Sequence, residues 1–426
     1  MITRLEATRY RCLERLDVDL GEFALVVGAN GAGKSTFLDL LVLFGDLLQQ
    51  KDVGSAFTSR LRGQPPRCAT FSELIFCGRG DDFILAVEAE LPDAVIRALL
   101  PGQPATVKND EEQWPRFIRY ELRLGVFNQR RLEVNAEYLF LFSRSALPGR
   151  GGARLLGETA PKKEWRFIIR RDAGEKALFR NEVVKAARSK AVHIDAGKPA
   201  LARVHFESRE EYPAAVWLHG LLTDQCLAYR PSMAVLQTAS PPGRAEMPAA
   251  DAGNLPWLTL LLRKTNPRLF DAWVDHVRTA LPQVASIEAC EREEDHHAYF
   301  KIQYQGGYNV TSSGLSEGTL RILALTLLPY LERRPTILLV EEPELGIHPR
   351  GIETVLQSLM SVYDSQVLVS SHSPVVMAQC RLEQVLCARL DEAGAATIVS
   401  GRHHPRLAEW KGRIDLGALF AAGVLG

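Results

Sequence analysis

The chain has 426 residues, of which 46% are hydrophobic and 24% are charged, the composition of an ordinary globular protein. This length corresponds to two or three domains and can bury a large core without disulfides or structural metals. Lys plus Arg and Asp plus Glu both number 51, so the formal net charge is zero. A neutral chain argues against a protein whose whole surface is built for nucleic acid, although a local basic patch remains compatible with it.

Two further features of the composition concern the cellular compartment. No apolar run reaches the ~18 residues that a membrane-spanning helix needs, and the charged N-terminal segment lacks the apolar stretch of a secretory signal. The seven cysteines are scattered without a Cys-x-x-Cys pair, which indicates reduced thiols. We therefore expect a cytoplasmic protein without a membrane-spanning segment.

A glycine-rich loop follows the first apolar strand. Residues 23–28 (FALVVG) predict a short strand, and the apolar spacing from Lys34 onward predicts a helix. The connection between them fits G-x-x-x-x-G-K-[ST], a loop whose backbone N–H groups surround phosphate oxygens. In such a loop Lys34 reaches the β- and γ-phosphates, and the Ser35 hydroxyl binds Mg²⁺. The predicted nucleotide-binding residues are Gly28, Asn30, Gly31, Gly33, Lys34, Ser35 and Thr36.

The next part of the chain alternates between apolar and polar residues. Residues 118–126, 131–140 and 164–171 have a period of two, which predicts strands of an antiparallel sheet. We assign residues 51–190 to an antiparallel β-rich lobe. Within it, residues 144–190 contain 13 Lys and Arg against five acids. This segment predicts contact with a nucleic-acid backbone or an acidic partner, or else a solvated charged face.

Helical spacing then predominates. Apolar residues recur along one face at Phe270, Trp273, Val274, Val277 and Leu281, so we predict a mainly helical insertion over residues 191–299.

A polar turn enters an apolar helix within residues 310–325. Ser316 and Gly318 lie at its start, where free backbone N–H groups bind anions, and we predict that they read a phosphate. The alternative is that Ser316 is a simple N-cap.

The last third returns to continuous apolar strands linked by a helix, which predicts a parallel sheet covered on both faces. Glu341 and Glu342 follow the strand at 336–341 (TILLVE). We predict that Glu341 holds Mg²⁺ and that Glu342 polarises the attacking water as general base, the alternative being a polar strand end that faces solvent. His372 follows the next strand and is predicted to hydrogen-bond the γ-phosphate as a second catalytic residue.

Taken in order, the phosphate loop, the L-S-E-G-T turn, the paired acids and the strand-end histidine resemble an ABC-type ATPase head. The resemblance is to the RecF/SMC-like branch, which includes the OLD ATPases of phage defence. It implies an α/β P-loop NTPase fold with a mixed, largely parallel core sheet, formed by residues 1–50 and 300–426. The sequence departs from the family at LSEGT, where LSGGQ is usual, and at Glu341, where Asp is usual. Candidates for the Q-loop are Gln64 and Gln49.

The resemblance further implies ATP and Mg²⁺ as cofactors and a homodimer that encloses ATP. Ser316 and Gly318 of one copy would then act on the nucleotide held by the other, and Glu344–His348 would form the D-loop. We expect an ATP-hydrolysing switch for a DNA-related process, as the ATPase subunit of a prokaryotic anti-phage defence complex. Two alternatives remain open, a RecF-like repair ATPase that clamps DNA by itself and a catalytically silent ATP-binding scaffold.

Full OLD nucleases carry a metal-dependent nuclease domain after the ATPase. Too few residues follow His372 for such a domain, so we expect no fused nuclease and an effector on a separate chain. The apolar tail at 414–426 would dock this partner or cover the chain's own sheet.

Overall fold

The computed structural model describes residues 1–61, 63–101, 103–146, 165–184, 188–204, 209–243, 246–392, 394–404 and 415–423. Its strands are β1 Ile2–Tyr10, β2 Leu13–Asp19, β3 Phe23–Gly28, β4 Asp82–Glu90, β5 Phe117–Phe127, β6 Arg131–Phe142, β7 Arg166–Arg171, β8 Ala177–Phe179, β9 Lys190–Val192, β10 Cys226–Tyr229, β11 Val284–Glu291, β12 Ala298–Tyr304, β13 Asn309–Thr311, β14 Ile337–Glu341, β15 Gln366–Ser371, β16 Val385–Leu390 and β17 Ala396–Ser400.

The α-helices follow the same order along the chain. They are α1 Lys34–Gln49, α2 Ser55–Thr58, α3 Asp93–Leu99, α4 Ala105–Lys108, α5 Leu201–Val204, α6 Pro213–Thr223, α7 Met233–Leu236, α8 Leu255–Thr265, α9 Pro267–Ala280, α10 Glu317–Thr326, α11 Pro349–Met360, α12 Pro374–Ala378 and α13 Leu416–Ala421. The chain forms two compact units. The first comprises residues 1–21, 39–225 and 389–398, and the second comprises residues 22–38, 226–388 and 399–426.

The first unit is built on an eight-stranded sheet with the order β2-β1-β4-β5-β6-β7-β8-β9. Every neighbouring pair in it is antiparallel, as the period-two alternation predicts. The alternating polar residues are not all at the surface, however. Arg119 and Glu121 of β5 are only 2% and 3% exposed, because both faces of the sheet are covered at this point.

A buried arginine compensates the acids on this face of the sheet. The Arg119 Nη1 donates to Glu6 Oε1 at 2.8 Å and to Glu88 Oε1 at 2.7 Å, and its Nε donates to Glu121 Oε1 at 2.6 Å. A buried carboxylate is stable only when it is paired and hydrogen-bonded. The guanidinium therefore allows three strands to place glutamates on a covered face.

We predict that Arg119→Met lowers the free energy of unfolding by about 3–5 kcal/mol, because it leaves buried carboxylates uncompensated. Burial raises the pKa of Glu88 even with Arg119 present, and loss of the Arg119 charge should raise that pKa further. A buried carboxyl with a raised pKa is neutral at low pH and becomes a destabilising charge as pH rises. The loss of unfolding free energy in Arg119→Met should therefore be smaller at about pH 5 than at about pH 7.5.

Urea unfolding at both pH values measures this effect, with Arg130→Met in the exposed β5–β6 turn as the matched control. An equal deficit at the two pH values would show that lost packing, rather than charge, is responsible.

The second unit contains the parallel strands of a sheet with the order β10-β14-β15-β3-β16-β17. The first five strands run parallel, so their carboxyl ends meet at one edge. The apolar core of this unit includes Trp273, Phe300 and Leu320, all with no exposed area. The carboxyl edge of a parallel sheet is where ligands bind in open α/β folds, and the predicted phosphate loop and paired acids both lie there.

The structure differs from the predicted layout within residues 191–299. Helices α8 and α9 are present, but β10 belongs to the core sheet, and β11, β12 and β13 form a separate three-stranded antiparallel sheet. Four residues are too few to show a periodicity, so only the pairing of β10 with β14 identifies it as a strand. The division into residues 1–50 with 300–426, 51–190 and 191–299 stays a prediction.

The described part of the apolar tail packs onto its own unit. Helix α13 lies against α12, and Leu416 joins the hydrophobic core. Ile414, Val424 and Leu425 lie outside the described residues. Within the described part of the chain, none of the seven cysteines forms a disulfide. No helix in that part has the length and apolar character needed to cross a membrane.

Candidate nucleotide-binding site

The phosphate loop connects β3 to α1 as predicted. Gly31 and Gly33 have φ values of 80° and 91°, a backbone region that favours glycine. Gly28 also has a positive φ, and a Cβ there would lie 2.1 Å from the carbonyl oxygen of Ala388 on the neighbouring strand. The loop conformation therefore depends on its glycines.

Lys34, at the first position of α1, is a buried cation. Its Nζ donates to the carbonyl oxygens of Gly28 and Ala29, each at 2.9 Å. Burial lowers the pKa of Lys34, while the charge of Glu342 opposes this shift. The ammonium has a third N–H, and a phosphate oxygen is the kind of anion that would compensate its charge. Of the other loop residues, Asn30 is exposed and Thr36 is half-buried at the start of α1.

The structure brings together the two predicted metal ligands. The Ser35 hydroxyl donates to Glu341 Oε2 at 2.8 Å. The opposite oxygen of that carboxylate, Oε1, accepts from Arg230 Nε at 3.1 Å and also from Arg230 Nη2. A hydroxyl and a carboxylate oxygen side by side are the hard donors that Mg²⁺ prefers. The residues present therefore fit this ion.

Glu342 adopts an unusual backbone conformation at the end of β14. Its φ is 46°, which costs a non-glycine residue about 1–2 kcal/mol. Its N–H donates to the Ser370 carbonyl at 2.9 Å, and its own carbonyl accepts from Arg321 Nη1 at 3.3 Å. The Oε1 of Glu342 lies 3.4 Å from His372 Nε2, and both side chains are partly exposed. Backbone strain held in place at a carboxylate–imidazole pair is typical of a functional site.

A third acid of the E-E-P-E segment supports the histidine. Glu344 Oε1 accepts from the Ser371 hydroxyl at 2.5 Å and from the His372 backbone N–H at 3.2 Å. The Ser371 oxygen in turn accepts from the Ser373 N–H at 2.9 Å. These bonds fix the backbone from which the imidazole projects.

The L-S-E-G-T turn opens α10. Ser316 is the N-cap, and its Oγ accepts from the Thr319 N–H at 3.2 Å, which is the alternative role left open by the sequence. A Cβ on Gly318 would lie 2.6 Å from the Gly346 carbonyl oxygen, so glycine allows this turn to approach the predicted D-loop. Ser316 and Glu317 are exposed. Contact of Ser316 and Gly318 with a phosphate stays a prediction.

Two features of the site were not predicted from the sequence, namely the support of His372 by Glu344, which was predicted only as part of the D-loop, and the place of Arg230. Arg230 directly follows the short apolar segment CLAY. The sequence feature that could have identified Arg230 is a charged residue directly after an apolar segment. Its partner is set by strand pairing, which the sequence does not show.

Comparisons with known proteins show which families and folds the chain is similar to. Residues 241–378 match a family model described as "AAA domain, putative AbiEii toxin, Type IV TA system". The chain is 33% identical over 131 residues to the hemin import ATP-binding protein HmuV of Nitrobacter winogradskyi, covering 26% of this chain and 48% of that protein. It is 44% identical over 48 residues to the OLD nuclease of Thermus scotoductus, covering 11% of this chain and 9% of that protein. The chain thus spans about half of the first relative and a small part of the second.

Among solved structures, the chain is similar to an Smc head bound to the C-winged helix domain of ScpA. The TM-score is 0.52 at 13% identity, covering 93% of this chain and 97% of that chain. At this identity the likeness concerns the fold alone. It confirms the predicted P-loop NTPase fold with a mixed parallel sheet and an antiparallel β subdomain.

We predict that Glu344→Ala lowers the rate of ATP hydrolysis by about tenfold to a hundredfold, because small displacements of a catalytic group have effects of this size. Nucleotide affinity should change little, since the hydrogen bonds of Glu344 are to Ser371 and His372. Phosphate release and equilibrium nucleotide binding measure the two effects separately.

Glu344→Gln should retain part of the rate because its amide oxygen still accepts hydrogen bonds. Glu353→Ala, on the exposed face of α11, is the matched control. A normal rate in Glu344→Ala would show that His372 does not need this support.

Proposed function

We propose that this chain, an ABC-type ATPase with the fold of an SMC head, binds ATP with Mg²⁺ and hydrolyses it to ADP and phosphate. The observation that carries the proposal is the arrangement at one sheet edge. Lys34 in its glycine loop, the Ser35–Glu341 pair and the Glu342–His372 pair all lie at strand ends of the same parallel sheet. The match to an ATP-binding import protein supports the choice of nucleotide.

In the proposed reaction each side chain has one task. The loop N–H groups and Lys34 bind the β- and γ-phosphates, while Ser35 and Glu341 hold Mg²⁺, which supplies compensation of phosphate charge. Glu342 orients the attacking water and accepts its proton as the water oxygen bonds to the γ-phosphorus. The bond from that phosphorus to the bridging oxygen breaks, and ADP leaves. His372 donates a hydrogen bond to the γ-phosphate.

The proposal includes a second copy of the chain. Ser316 and Gly318 at the exposed start of α10 would bind the γ-phosphate held by the other copy, through free N–H groups. ATP would then join two copies, and hydrolysis would release them. The similarity of the fold to SMC heads supports this arrangement.

We assign the switch to a DNA-related process in the cytoplasm, as the ATPase subunit of a prokaryotic anti-phage defence complex with its effector on another chain. Support comes from the family description, which names a toxin and a Type IV TA system, and from the similarity to an OLD nuclease.

We predict that Glu342→Gln binds ATP with an affinity within about threefold of wild type and lowers the turnover rate by at least about a hundredfold, because an amide cannot accept the proton. Steady-state phosphate release and nucleotide binding measure the two quantities. Glu353→Gln is the matched control. Equal turnover in wild type and Glu342→Gln would remove Glu342 from the mechanism, and no turnover in either chain would favour the silent scaffold.

The basic segment 144–190 is only partly available for a partner. Arg171 is buried and donates to three backbone carbonyls, and Arg166 is half-buried and donates to the Asn181 carbonyl. These two arginines stabilise the lobe. Of the exposed basic residues, Arg144 and Arg170 form ion pairs with acids, and Lys176, Arg188 and Lys190 remain candidates for nucleic-acid contact. Five others lie outside the described residues, namely Arg150, Arg154, Lys162, Lys163 and Lys185.

We predict that the triple charge reversal Lys176→Glu, Arg188→Glu and Lys190→Glu weakens binding to duplex DNA by about tenfold or more at low salt. Each lost phosphate contact should also reduce the slope of log affinity against log salt by about one. Fluorescence anisotropy over a salt series measures both quantities.

The control changes the net charge equally at three exposed residues elsewhere in the first unit, Arg97, Lys108 and Arg130. Equal losses of DNA affinity in both triple variants would show that net charge, rather than contact by this segment, is responsible. No loss in either would remove this segment as a DNA contact.

A further inference from the structure

We propose that Arg230 is a positioning residue for the metal-binding carboxylate of Glu341. The inference rests on the proposed function, since it concerns the same Mg²⁺ and nucleotide site. It assigns a task to a residue outside the phosphate loop, the L-S-E-G-T turn, the paired acids and the strand-end histidine.

The sheet sets the distance between the two residues. Strand β10 pairs in parallel with β14, and Tyr229 lies opposite Val340. Arg230 directly follows β10, and Glu341 is the last residue of β14, so the two side chains start side by side at the carboxyl edge. Strand β10 is the outermost strand there, and Arg230 approaches the carboxylate from the side opposite β15 and the phosphate loop.

The hydrogen bonds divide the carboxylate into two halves. Arg230 donates both hydrogen bonds to Oε1 of Glu341, whereas the Ser35 hydroxyl donates to Oε2. A planar guanidinium that binds one oxygen through two N–H groups limits rotation of the carboxylate, and a lysine ammonium cannot reproduce this fork. Oε2 is thereby directed to the serine that would share the metal.

The length of Glu341 explains why such support is needed here. Glutamate has one more rotatable bond than the aspartate that is usual at this position, so its carboxylate can take more orientations. Arg230 and Glu341 are 38% and 25% exposed, and an ion pair with this exposure contributes little to folding stability. Its consequence should therefore appear in metal binding.

The test measures Mg²⁺-dependent binding of a fluorescent ATP analogue, MANT-ATP, in a Glu342→Gln background so that nucleotide is not consumed. Arg230→Lys is the main variant, because it retains the positive charge and removes the fork. We expect the half-saturating Mg²⁺ concentration to rise about tenfold, the size of effect typical for residues that orient a metal ligand. Thermal unfolding without metal should be close to that of the parent.

A double-mutant cycle with Glu341→Asp separates positioning from charge. The shorter aspartate needs less support, so Arg230→Lys should change the half-saturating Mg²⁺ concentration by less than about twofold when it is combined with Glu341→Asp. Two results would overturn the inference. One is an unchanged Mg²⁺ requirement in Arg230→Lys, and the other is a shift of the same size with and without the Glu341→Asp substitution.

Failure of the proposed function would look different. In that case the parent would show no Mg²⁺-dependent binding of MANT-ATP, or Lys34→Ala and Glu341→Ala would bind it as well as the parent.

Discussion

The candidate site depends on a buried positive charge at the start of the helix that follows a parallel strand. Lys34 is 6% exposed, and within the described part of the chain its hydrogen bonds are accepted by two carbonyl oxygens of its own loop. A buried ammonium is costly without an anion, and burial accordingly lowers its pKa. A bound triphosphate would compensate this charge, and the Glu341 carboxylate at the end of β14 would in turn be compensated by the accompanying metal ion. The loop, the lysine and the acids are thus parts of one electrostatic arrangement.

The parts of this arrangement that follow from local sequence could be predicted to within a residue or two. The glycine pattern gives the loop, and the apolar segments before it and before Glu341 correspond to β3 and β14. Parallel strands explain why Ser35 and Glu341 meet although 306 positions separate them. Their carboxyl ends lie at one edge, whatever the length of the chain between them.

The parts that depend on pairing between distant segments could not be predicted in this way. Arg230 lies directly after a four-residue strand whose place becomes evident only beside β14. Arg119 belongs to an alternating segment that predicts a solvent-facing charge, yet three carboxylates hold it in the interior. Arg166 and Arg171 contribute to a basic segment in sequence but donate to backbone carbonyls in the structure. Composition identifies such charges, whereas their partners are properties of the fold.

The start of α10 is exposed to solvent. Gly318 permits its close approach to the Gly346 carbonyl in the predicted D-loop, while Ser316 and Glu317 face solvent. The backbone N–H groups at such a helix start can bind an anion, which is the basis of the proposed contact with a nucleotide held by a second copy.

The most direct measurement is the molar mass of the Glu342→Gln chain by light scattering, with and without saturating ATP and Mg²⁺. The account predicts one chain of 47.3 kDa without nucleotide and twice that mass with it. A mass that stays at one chain, under conditions where nucleotide binding is shown to be complete, would contradict it.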